Sequence, residues 1–358
     1  MSHGPLQGLK VIEFAGIGPA PLAGMMLADM GAELTVVERP AHQASLGGGG
    51  ALNRGKQVLR LDLKSPAGLQ EARQRVLQAD ALIEGFRPGV MERLGLGPQA
   101  LCAEQPRLVY ARLTGWGQHG PLAQTAGHDL NYVALSGLLS LSARPGAAPT
   151  IPATVLGDVA GGTLTLLMGL LAALWEAQRS GRGQVIDAAM VDGLGYMGSL
   201  IQALRSAGDW PHQDSANLFM HQSPFYDCFA CADGLWLSLA AIEPPFYAAL
   251  MSGLGLQPSA AQMEASAWPS LRAQVATCLA RQPRAHWLAV FAGSDACVAP
   301  VLTLDEAREH PHLRARDSHF FSEGQWWPRP APRLSRTPLC PAGGARSDDT
   351  GAPDSPGA

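Results

Sequence analysis

Short apolar segments of strand character recur along the first 190 residues, and helical stretches separate most of them. The strand-like segments are residues 9–15, 33–38, 57–62, 80–84, 107–113 and 184–190, and the helical ones are residues 22–30, 66–79, 90–94 and 162–178. A helix between two strands favours parallel pairing, because it carries the chain back across the sheet. The sequence therefore predicts an α/β fold with a large Rossmann-like, doubly wound domain.

The length predicts more than one domain, because 358 residues exceed the size at which a single hydrophobic core usually stops growing. We expect the large domain to occupy residues 1–193. Residues 194–222 lose clear periodicity and collect Gly, Ser, Asp and His, which is typical of a linker. A smaller α+β domain is predicted over residues 223–311, followed by a linker at 312–330. Residues 331–358 are rich in Pro, Gly, Ala and Ser and are expected to be largely irregular.

The composition excludes several classes of protein. Apolar residues make up 47%, charged residues 16%, and the formal net charge is −4, as in ordinary soluble globular proteins. No basic cluster is strong enough to predict a nucleic-acid or membrane-surface partner. The first five residues lack the charged and apolar regions of a signal peptide, so a cytoplasmic location is expected. The longest apolar run, residues 163–175, is too short to span a bilayer.

The cysteines do not predict a metal or redox site. Only Cys228 and Cys231 have C-x-x-C spacing, and no second Cys/His pair with zinc-site spacing follows them. We therefore expect no metal, and we interpret all six cysteines as reduced, buried thiols.

The first strand, turn and helix imitate a nicotinamide-binding fingerprint. Gly16 and Gly18 follow the strand, and Glu38 ends the next strand. The third glycine position is Pro21, however, and the two prolines of this turn remove amide donors that a pyrophosphate would need. A dinucleotide-dependent dehydrogenase is thus a weakly supported alternative.

Positive charge concentrates in the N-terminal half of a protein that is acidic overall. One group lies around the third strand, and another follows the fourth: Arg54, Lys56, Arg60 and Lys64, then Arg87 and Arg93. Arginines at the carboxyl ends of parallel strands are well placed to bind a phosphate-bearing ligand. The alternative interpretation is a set of solvated surface charges.

A histidine and a carboxylate each lie beside glycine on either side of an apolar stretch. His128 occurs in AGHDLNY (126–132), and Asp158 occurs in GDVAGG (157–162). An imidazole holds a proton near neutral pH, and a carboxylate does so once burial raises its pKa, so the two form a candidate acid/base pair. The alternative is structural, with His128 satisfying a loop and Asp158 capping the apolar helix that follows.

Several longer motifs occur in a fixed order along the chain. They are GLKVIE (8–13), EGFRPGV (84–90), TGWGQ (114–118), the His128 and Asp158 segments, and GQVIDAAMVD (183–192). With this set the sequence resembles the family III CoA-transferase superfamily over nearly its whole length, to about residue 336. The resemblance is greatest to the α-methylacyl-CoA racemase branch, which has Gly-His-Asp where the transferases usually carry an aromatic residue.

The resemblance implies a set of site residues. His128 and Asp158 would be two catalytic bases, and Glu243, in a matching Glu-Pro motif, would orient or charge His128. Positions that hold the CoA phosphates and adenine in the family match Arg39, Arg54, Arg87 and Arg93. The same CoA path would be lined by Val90, Gly127 and Tyr132.

The resemblance also implies an interlocked homodimer, in which each large domain is built from both chain ends and the active site lies between subunits. The acyl-CoA thioester would be the substrate, and no cofactor beyond its CoA portion is implied. After Pro338, residues 340–358 do not resemble the usual acidic, helical C-terminus of the family.

The implied reaction fits the chemistry of the two bases. A proton on the carbon beside a thioester carbonyl is weakly acidic, so its removal needs a base and stabilisation of the enolate oxygen. We expect the first amide groups of the helix after Asp158 to bind that oxygen. With a base on each face, one removes the proton and the other returns one, which interconverts (2R)- and (2S)-2-methylacyl-CoA. The alternatives are a CoA transferase that uses Asp158 as nucleophile and a catalytically silent CoA-binding homologue.

Overall fold

The structure, a computed structural model, describes residues 4–40, 49–144, 146–210, 217–343 and 346–347. The chain divides into two compact units. The large unit comprises Met1–Leu138, Pro152–Met197 and Trp327–Ala358, and the small unit comprises Leu139–Ile151 and Gly198–Trp326.

The large unit is built on a parallel sheet. Its strands are β1 (Lys10–Phe14), β2 (Glu33–Glu38), β3 (Gln57–Arg60), β4 (Ala81–Glu84), β5 (Val109–Thr114) and β6 (Val185–Ala189). They lie in the order β3-β2-β1-β4-β5-β6, and every neighbouring pair is parallel. The predicted α/β class with a parallel sheet is therefore confirmed. The strand order reverses between β1 and β4, which is the place where doubly wound folds bind ligands.

Helices cover this sheet. They are α1 (Pro19–Asp29), α2 (Pro66–Leu77), α3 (Val90–Arg93), α4 (Pro98–Glu104), α5 (Asp129–Leu135), α6 (Thr165–Ser180) and α7 (Met190–Met197), with a 3-10 turn at Gly49–Asn53. Proline begins α1, α2 and α4, where its missing N–H would be unpaired in any case. Strands β1 and β4 are almost fully buried, as expected for a sheet covered on both faces.

The helical segment that contains Asp158 begins earlier than the helix predicted over residues 162–178. A π-helical segment, Val155–Leu164, precedes α6 and contains Asp158 in its first turn. The amide groups that follow Asp158 are therefore inside a helix, so the expectation that a helix starts after Asp158 is wrong. Gly157, Gly161 and Gly162 permit the close packing that this segment makes, which the apolar pattern alone does not reveal.

The segment Val155–Ser180 is long and apolar enough to cross a membrane by length and composition alone. Its α6 portion packs against β5 and β6, and its buried face consists of Leu166, Leu167, Leu170, Ala173, Leu174 and Ala177. These contacts are those of a core helix in an α/β unit.

The small unit has an antiparallel sheet of β7 (Tyr226–Ala230), β8 (Trp236–Ala240) and β9 (Val298–Pro300). The helices are α8 (Ser199–Ala207), α9 (Pro244–Gly253), α10 (Trp268–Leu279), α11 (Arg284–Val290), α12 (Leu304–Glu309) and α13 (Pro311–Ala315). Shorter turns occur at Leu138–Ser142, Leu218–Gln222 and Ala265–Ala267, and a hairpin is formed by β10 (His319–Ser322) and β11 (Gln325–Pro328).

Asp227 on β7 explains why a segment predicted in the large domain belongs to the small unit. Both Arg144 Nη atoms donate to the Asp227 carboxylate at 2.9 and 2.7 Å, and Arg272 donates at 2.7 Å. Burial alone would raise the pKa of Asp227, but the donors from Arg144, the Cys228 amide and Arg272 lower it to about 2. Residues 139–151 are thus tied to this sheet, which corrects the predicted extent 1–193 of the large domain.

Both predicted linkers contain regular structure. Helix α8 lies within residues 194–222, most of α13 lies within residues 312–330, and the hairpin β10–β11 lies entirely within that second range. In α8 the apolar residues share one face, a helical period that the surrounding polar residues obscure in the sequence.

The C-terminal segment returns to the large unit around Asp29. The Ala342 N–H donates to Asp29 Oδ1 at 2.9 Å, and a two-residue strand, Arg346–Ser347, pairs in parallel with β3. Of the predicted irregular tail, residues 331–358, the structure describes 331–343 and 346–347, and the rest lies outside the described residues.

A buried ion pair fixes α1 against the sheet. Lys56 Nζ lies 2.6 Å from Glu13 Oε2 on β1 and donates to the Pro21 carbonyl at 2.9 Å, and both charged side chains are fully buried. Burial raises the pKa of Glu13 against the opposing effect of Lys56. A side chain at Gly24 would collide with this carboxylate. Lys56, one of the clustered cations of the sequence, is therefore a structural residue.

Lys56→Met is expected to destabilise the protein by about 3–5 kcal/mol, because it leaves the Glu13 charge buried without its partner. The double variant Glu13→Gln/Lys56→Met removes both charges at similar shape and should recover most of the loss. Urea unfolding midpoints at one fixed protein concentration measure both effects. Equal midpoints for the single and double variants would contradict this account.

Candidate active site

Two segments of the large unit bring the predicted acid/base pair together. His128 precedes α5 with extended backbone, and its N–H donates to Asn131 Oδ1 at 3.1 Å. The side chain of His128 is exposed, whereas Asp158 is partly buried in the π-helical segment. Segments of this kind are rare and occur often at functional sites.

Asp129 joins the two segments. Its carboxylate is buried, and Oδ1 accepts the Gly157 N–H at 2.7 Å and the Asp158 N–H at 2.8 Å. The amides of Gly157 and Asp158 are thus already bound. Enolate binding by the amide groups that follow Asp158 stays a prediction. The His-Asp dipeptide holds one candidate base and anchors the backbone of the other.

Glycines make the approach of these segments possible. A Cβ at Gly157 would lie 2.6 Å from Asp129 Oδ1, and a Cβ at Gly193 of α7 would lie 2.1 Å from the Gly161 carbonyl oxygen. The Thr163 hydroxyl donates to the Pro19 carbonyl at 2.9 Å, which ties the π-helical segment to α1. Three elements therefore fix the backbone around Asp158.

The environment of Asp158 suits a group that exchanges protons. Burial raises the pKa of Asp158, the Asp129 charge raises it further, and His128 opposes the shift. The Asp158 N–H donates to Asp129, the residue after His128, so the two candidate bases lie on adjoining segments. A carboxyl group with a raised pKa can accept and return a proton nearer neutral pH than an ordinary aspartate.

Tyr132 and Gly127 support the turn that carries His128. The Tyr132 hydroxyl donates to the Gly127 carbonyl, and its ring packs edge-on against Trp116 with ring centroids 4.7 Å apart. A Cβ at Gly127 would lie 2.8 Å from both rings. Burial raises the pKa of Tyr132, as does the nearby Asp158 charge. Tyr132 is buried, so the structure gives it a packing role, and its predicted place along a CoA path stays a prediction.

Glu243 lies in the small unit. It is exposed and directly precedes α9, where its carbonyl accepts the Tyr247 N–H at 2.9 Å. Burial raises the pKa of the Cys297 thiol, and the Glu243 charge raises it further. A pairing of Glu243 with His128 stays a prediction.

The candidate CoA-binding arginines fall into two groups. Arg39, Arg87 and Arg93 are exposed at the carboxyl ends of β2 and β4 or in the turns that follow. Arg54, in contrast, pairs with Asp29 and lies 5.5 Å from the Trp327 ring centroid. Arg54 therefore has a structural partner inside the large unit, which the sequence did not indicate.

A network of charged residues holds the turn that carries Arg87 and the short helix α3, which begins at Val90 and ends at Arg93. Arg112 on β5 donates to Glu84 at 2.8 Å and to both Glu92 oxygens at 2.8 and 3.2 Å. The second Glu84 oxygen accepts the Phe86 N–H at 2.7 Å. Arg112, Glu84 and Asp129 were not predicted from the sequence as residues of the site. Charged residues inside otherwise apolar strands were the available signal for the first two.

The cysteines are free thiols. The prediction that all six are buried is wrong, because Cys297 and Cys340 are exposed. Burial raises the pKa of Cys228 and of Cys231, which keeps these thiols protonated. Among the residues that the structure describes, no group of three or more His, Cys, Asp or Glu could hold a metal ion.

Sequence comparisons identify relatives over nearly the full chain. A model of CoA-transferase family III matches residues 6–339. The chain is 45% identical to alpha-methylacyl-CoA racemase of Mus musculus, over 94% of this chain and 88% of the mouse protein. It is 43% identical to alpha-methylacyl-CoA racemase of Homo sapiens, with the same two coverages.

A solved structure shares the fold. The CAIB/BAIF family protein from Brucella suis superimposes with a TM-score of 0.81 at 25% sequence identity, covering 95% of each chain. The α/β architecture is therefore that of a known family of structures.

Asp158→Asn is expected to raise the unfolding midpoint at pH 7. The folded-state pKa of Asp158 is raised, so the ionised carboxylate destabilises the fold above that pKa, and asparagine lacks the charge. The difference from wild type should shrink as the pH falls through the pKa of Asp158. Thermal unfolding over a range of pH measures it.

Asp192→Asn, at an exposed aspartate of α7, provides the matched control. It makes the same charge change at a residue that is not among the groups shifting the pKa of Asp158. A similar gain in this control would show that net charge, not the site, causes the effect.

Proposed function

Because the chain belongs to CoA-transferase family III, we propose that it is a racemase that interconverts (2R)- and (2S)-2-methylacyl-CoA thioesters. The observation that carries this proposal is the hydrogen bond from the Asp158 N–H to Asp129, which directly follows His128, so the two candidate bases lie on adjoining segments. Burial and the Asp129 charge raise the pKa of Asp158. Two relatives of high identity are named alpha-methylacyl-CoA racemase, which supports the same assignment.

The reaction is a 1,1-proton transfer between two bases. One of His128 and Asp158 removes the α-proton of the thioester, and the conjugate acid of the other returns a proton to the opposite face. The intermediate is an enolate. Its α-carbon is planar and has no configuration until the second proton transfer. The reaction needs no cofactor besides the CoA portion of the substrate.

Glu243 is assigned as the partner that orients or charges His128. Its exposed carboxylate at the start of α9 is available to an imidazole, and its Glu-Pro motif matches that of the racemase branch. A carboxylate beside an imidazole stabilises the protonated ring, which favours the acid form of His128.

The CoA portion binds at the carboxyl edge of the sheet. The turn after β4 lies beside the reversal of strand order, where doubly wound sheets bind nucleotides. Arg87 and Arg93 on this turn, with Arg39 after β2, contact the phosphates and adenine, while Val90, Gly127 and Tyr132 border the path. Arg54, which pairs with Asp29, also contributes to CoA binding.

The active protein is a homodimer with interlocked subunits in the cytoplasm. Apolar side chains on one side of the segment 164–175 are exposed, with Leu164 at 48%, Met168 at 56% and Trp175 at 65%. Exposed apolar patches of this kind usually mark interfaces. A second copy of the chain is the partner that the family resemblance implies.

Wild-type protein incubated with one epimer of a 2-methylacyl-CoA in heavy water should incorporate deuterium at the α-carbon while inverting it. No acceptor acid is needed. His128→Ala and Asp158→Ala should each lower inversion by at least ~10²–10⁴-fold, the usual value of a general acid or base. Chiral chromatography and mass spectrometry follow configuration and label.

A CoA transferase gives the opposite pattern. His128→Ala would then keep most of its activity, turnover would require an acceptor acid, and hydroxylamine would trap an adduct on Asp158. Full inversion by His128→Ala, or the absence of deuterium from every 2-methylacyl-CoA tested, would overturn the racemase proposal.

Arg93→Ala should weaken thioester binding, and more so at low salt, because the interaction with phosphate is screened by ions. Isothermal titration at two salt concentrations measures the effect. Arg179→Ala, at an exposed arginine in the last turn of α6, is the control. Equal affinity of wild type and Arg93→Ala would remove Arg93 from the site.

A further inference from the structure

Asp129 takes no part in the proton transfer proposed above, yet it lies between the two bases. Only 6% of its surface is exposed. It directly follows His128 in the chain, and its Oδ1 accepts the N–H groups of Gly157 and Asp158 at 2.7 and 2.8 Å. One carboxylate oxygen therefore connects the backbone of one base to that of the other.

Two consecutive amides that converge on one oxygen restrict the backbone strongly. They fix the peptide plane between Gly157 and Asp158, and with it the direction in which the Asp158 side chain leaves the chain. The contact is too close for any side chain at residue 157, since a Cβ there would lie 2.6 Å from Asp129 Oδ1. Asparagine is the residue that could keep the acceptor oxygen without the charge.

We propose that Asp129 is the positioning residue that sets the separation of His128 and Asp158 across the substrate α-carbon. The proposal rests on the racemase function. A two-base transfer needs both bases within reach of the same carbon on opposite faces, and an error of about 1 Å in such an arrangement can cost ~10²-fold in rate.

The charge of Asp129 has a second effect. Besides burial, the charges that act on Asp158 are Asp129, which raises its pKa, and His128, which lowers it. Six elements pack against the π-helical segment: α1, α5, α6, α7, β5 and β6. Their other titratable or charged groups are Asp29, Tyr132, Glu176, Arg179, Asp192, Tyr196, Tyr110, Arg112 and Asp187.

This charge favours a resting state suited to the reaction. In either direction one base must begin protonated and the other ionised. An ionised Asp129 disfavours a second negative charge on Asp158, so it helps Asp158 to hold the proton in the direction that uses Asp158 as the acid.

Three variants separate geometry from charge. Asp129→Ala removes the acceptor and the charge, and Asp129→Asn keeps an acceptor oxygen without the charge. Gly157→Ala keeps the charge and disturbs the contact. Asp129→Ala and Gly157→Ala should each lower kcat by ~10²-fold with little change in KM, because neither residue holds CoA.

Asp129→Asn should retain more activity than Asp129→Ala. Removing the negative charge lowers the pKa of Asp158, so the acid limb of the kcat profile should move to lower pH in the direction that uses Asp158 as base. Gly157→Ala should leave that limb nearer its wild-type position. Asp192→Asn should change neither rate nor profile.

Amide hydrogen exchange tests the same inference without any activity. The amides of Gly157 and Asp158 should be protected in wild type and in Asp129→Asn, and should exchange faster in Asp129→Ala. The stabilisation of Asp158→Asn at pH 7 should also shrink in an Asp129→Asn background, in a double-mutant cycle.

These readouts distinguish the two proposals. Absent racemisation by wild type with protected amides would reject the function and leave the positioning contact in place. Unchanged kcat and unchanged protection in Asp129→Ala would overturn the role of Asp129. If Asp129→Ala does not fold, Gly157→Ala tests the proposal instead. A kcat of Gly157→Ala equal to that of the wild type would overturn it.

Discussion

The Asp129 carboxylate accepts two backbone N–H groups from a segment 28 and 29 residues further along the chain. Because these donors belong to Gly157 and Asp158, one buried oxygen decides where the second candidate base stands relative to His128. Burying a carboxylate is costly unless its oxygens are hydrogen-bonded, so the two amides also make the buried position tolerable. The glycine at 157 and the π-helical turn both follow from the closeness of this contact.

Elsewhere in the large unit, buried charged pairs also fix one segment of the chain to another. Glu13 and Lys56 fix α1 and the 3-10 turn to β1, and Arg112 with Glu84 and Glu92 fixes the turn after β4. A buried ion pair contributes little net stability but tolerates no loss of one partner, so it specifies an arrangement more than it strengthens one. The turn with Arg87 and the short helix α3 with Arg93 are thereby held in place at the carboxyl edge of the sheet.

Sequence patterns predicted the parallel α/β sheet, the family and the closeness of His128 and Asp158. They did not predict which carboxylates the clustered cations pair with. Arg54 and Lys56 pair with Asp29 and Glu13, which lie 25 and 43 residues away. The segment 139–151 was misplaced for the same reason, since the Asp227 that binds Arg144 is 83 residues distant. A helix start at Gly162 was expected because apolar periodicity does not register a π-helical turn.

The sequence by itself determined the alternation of strands and helices and the motifs that identify the family, because these are local patterns of burial and backbone preference. Only the tertiary structure decided which charges pair and that Asp129 joins the segment of His128 to the segment of Asp158. Each of these depends on a hydrogen bond or ion pair between distant residues. The strength of such contacts comes from burial, and burial exists only after the chain has folded.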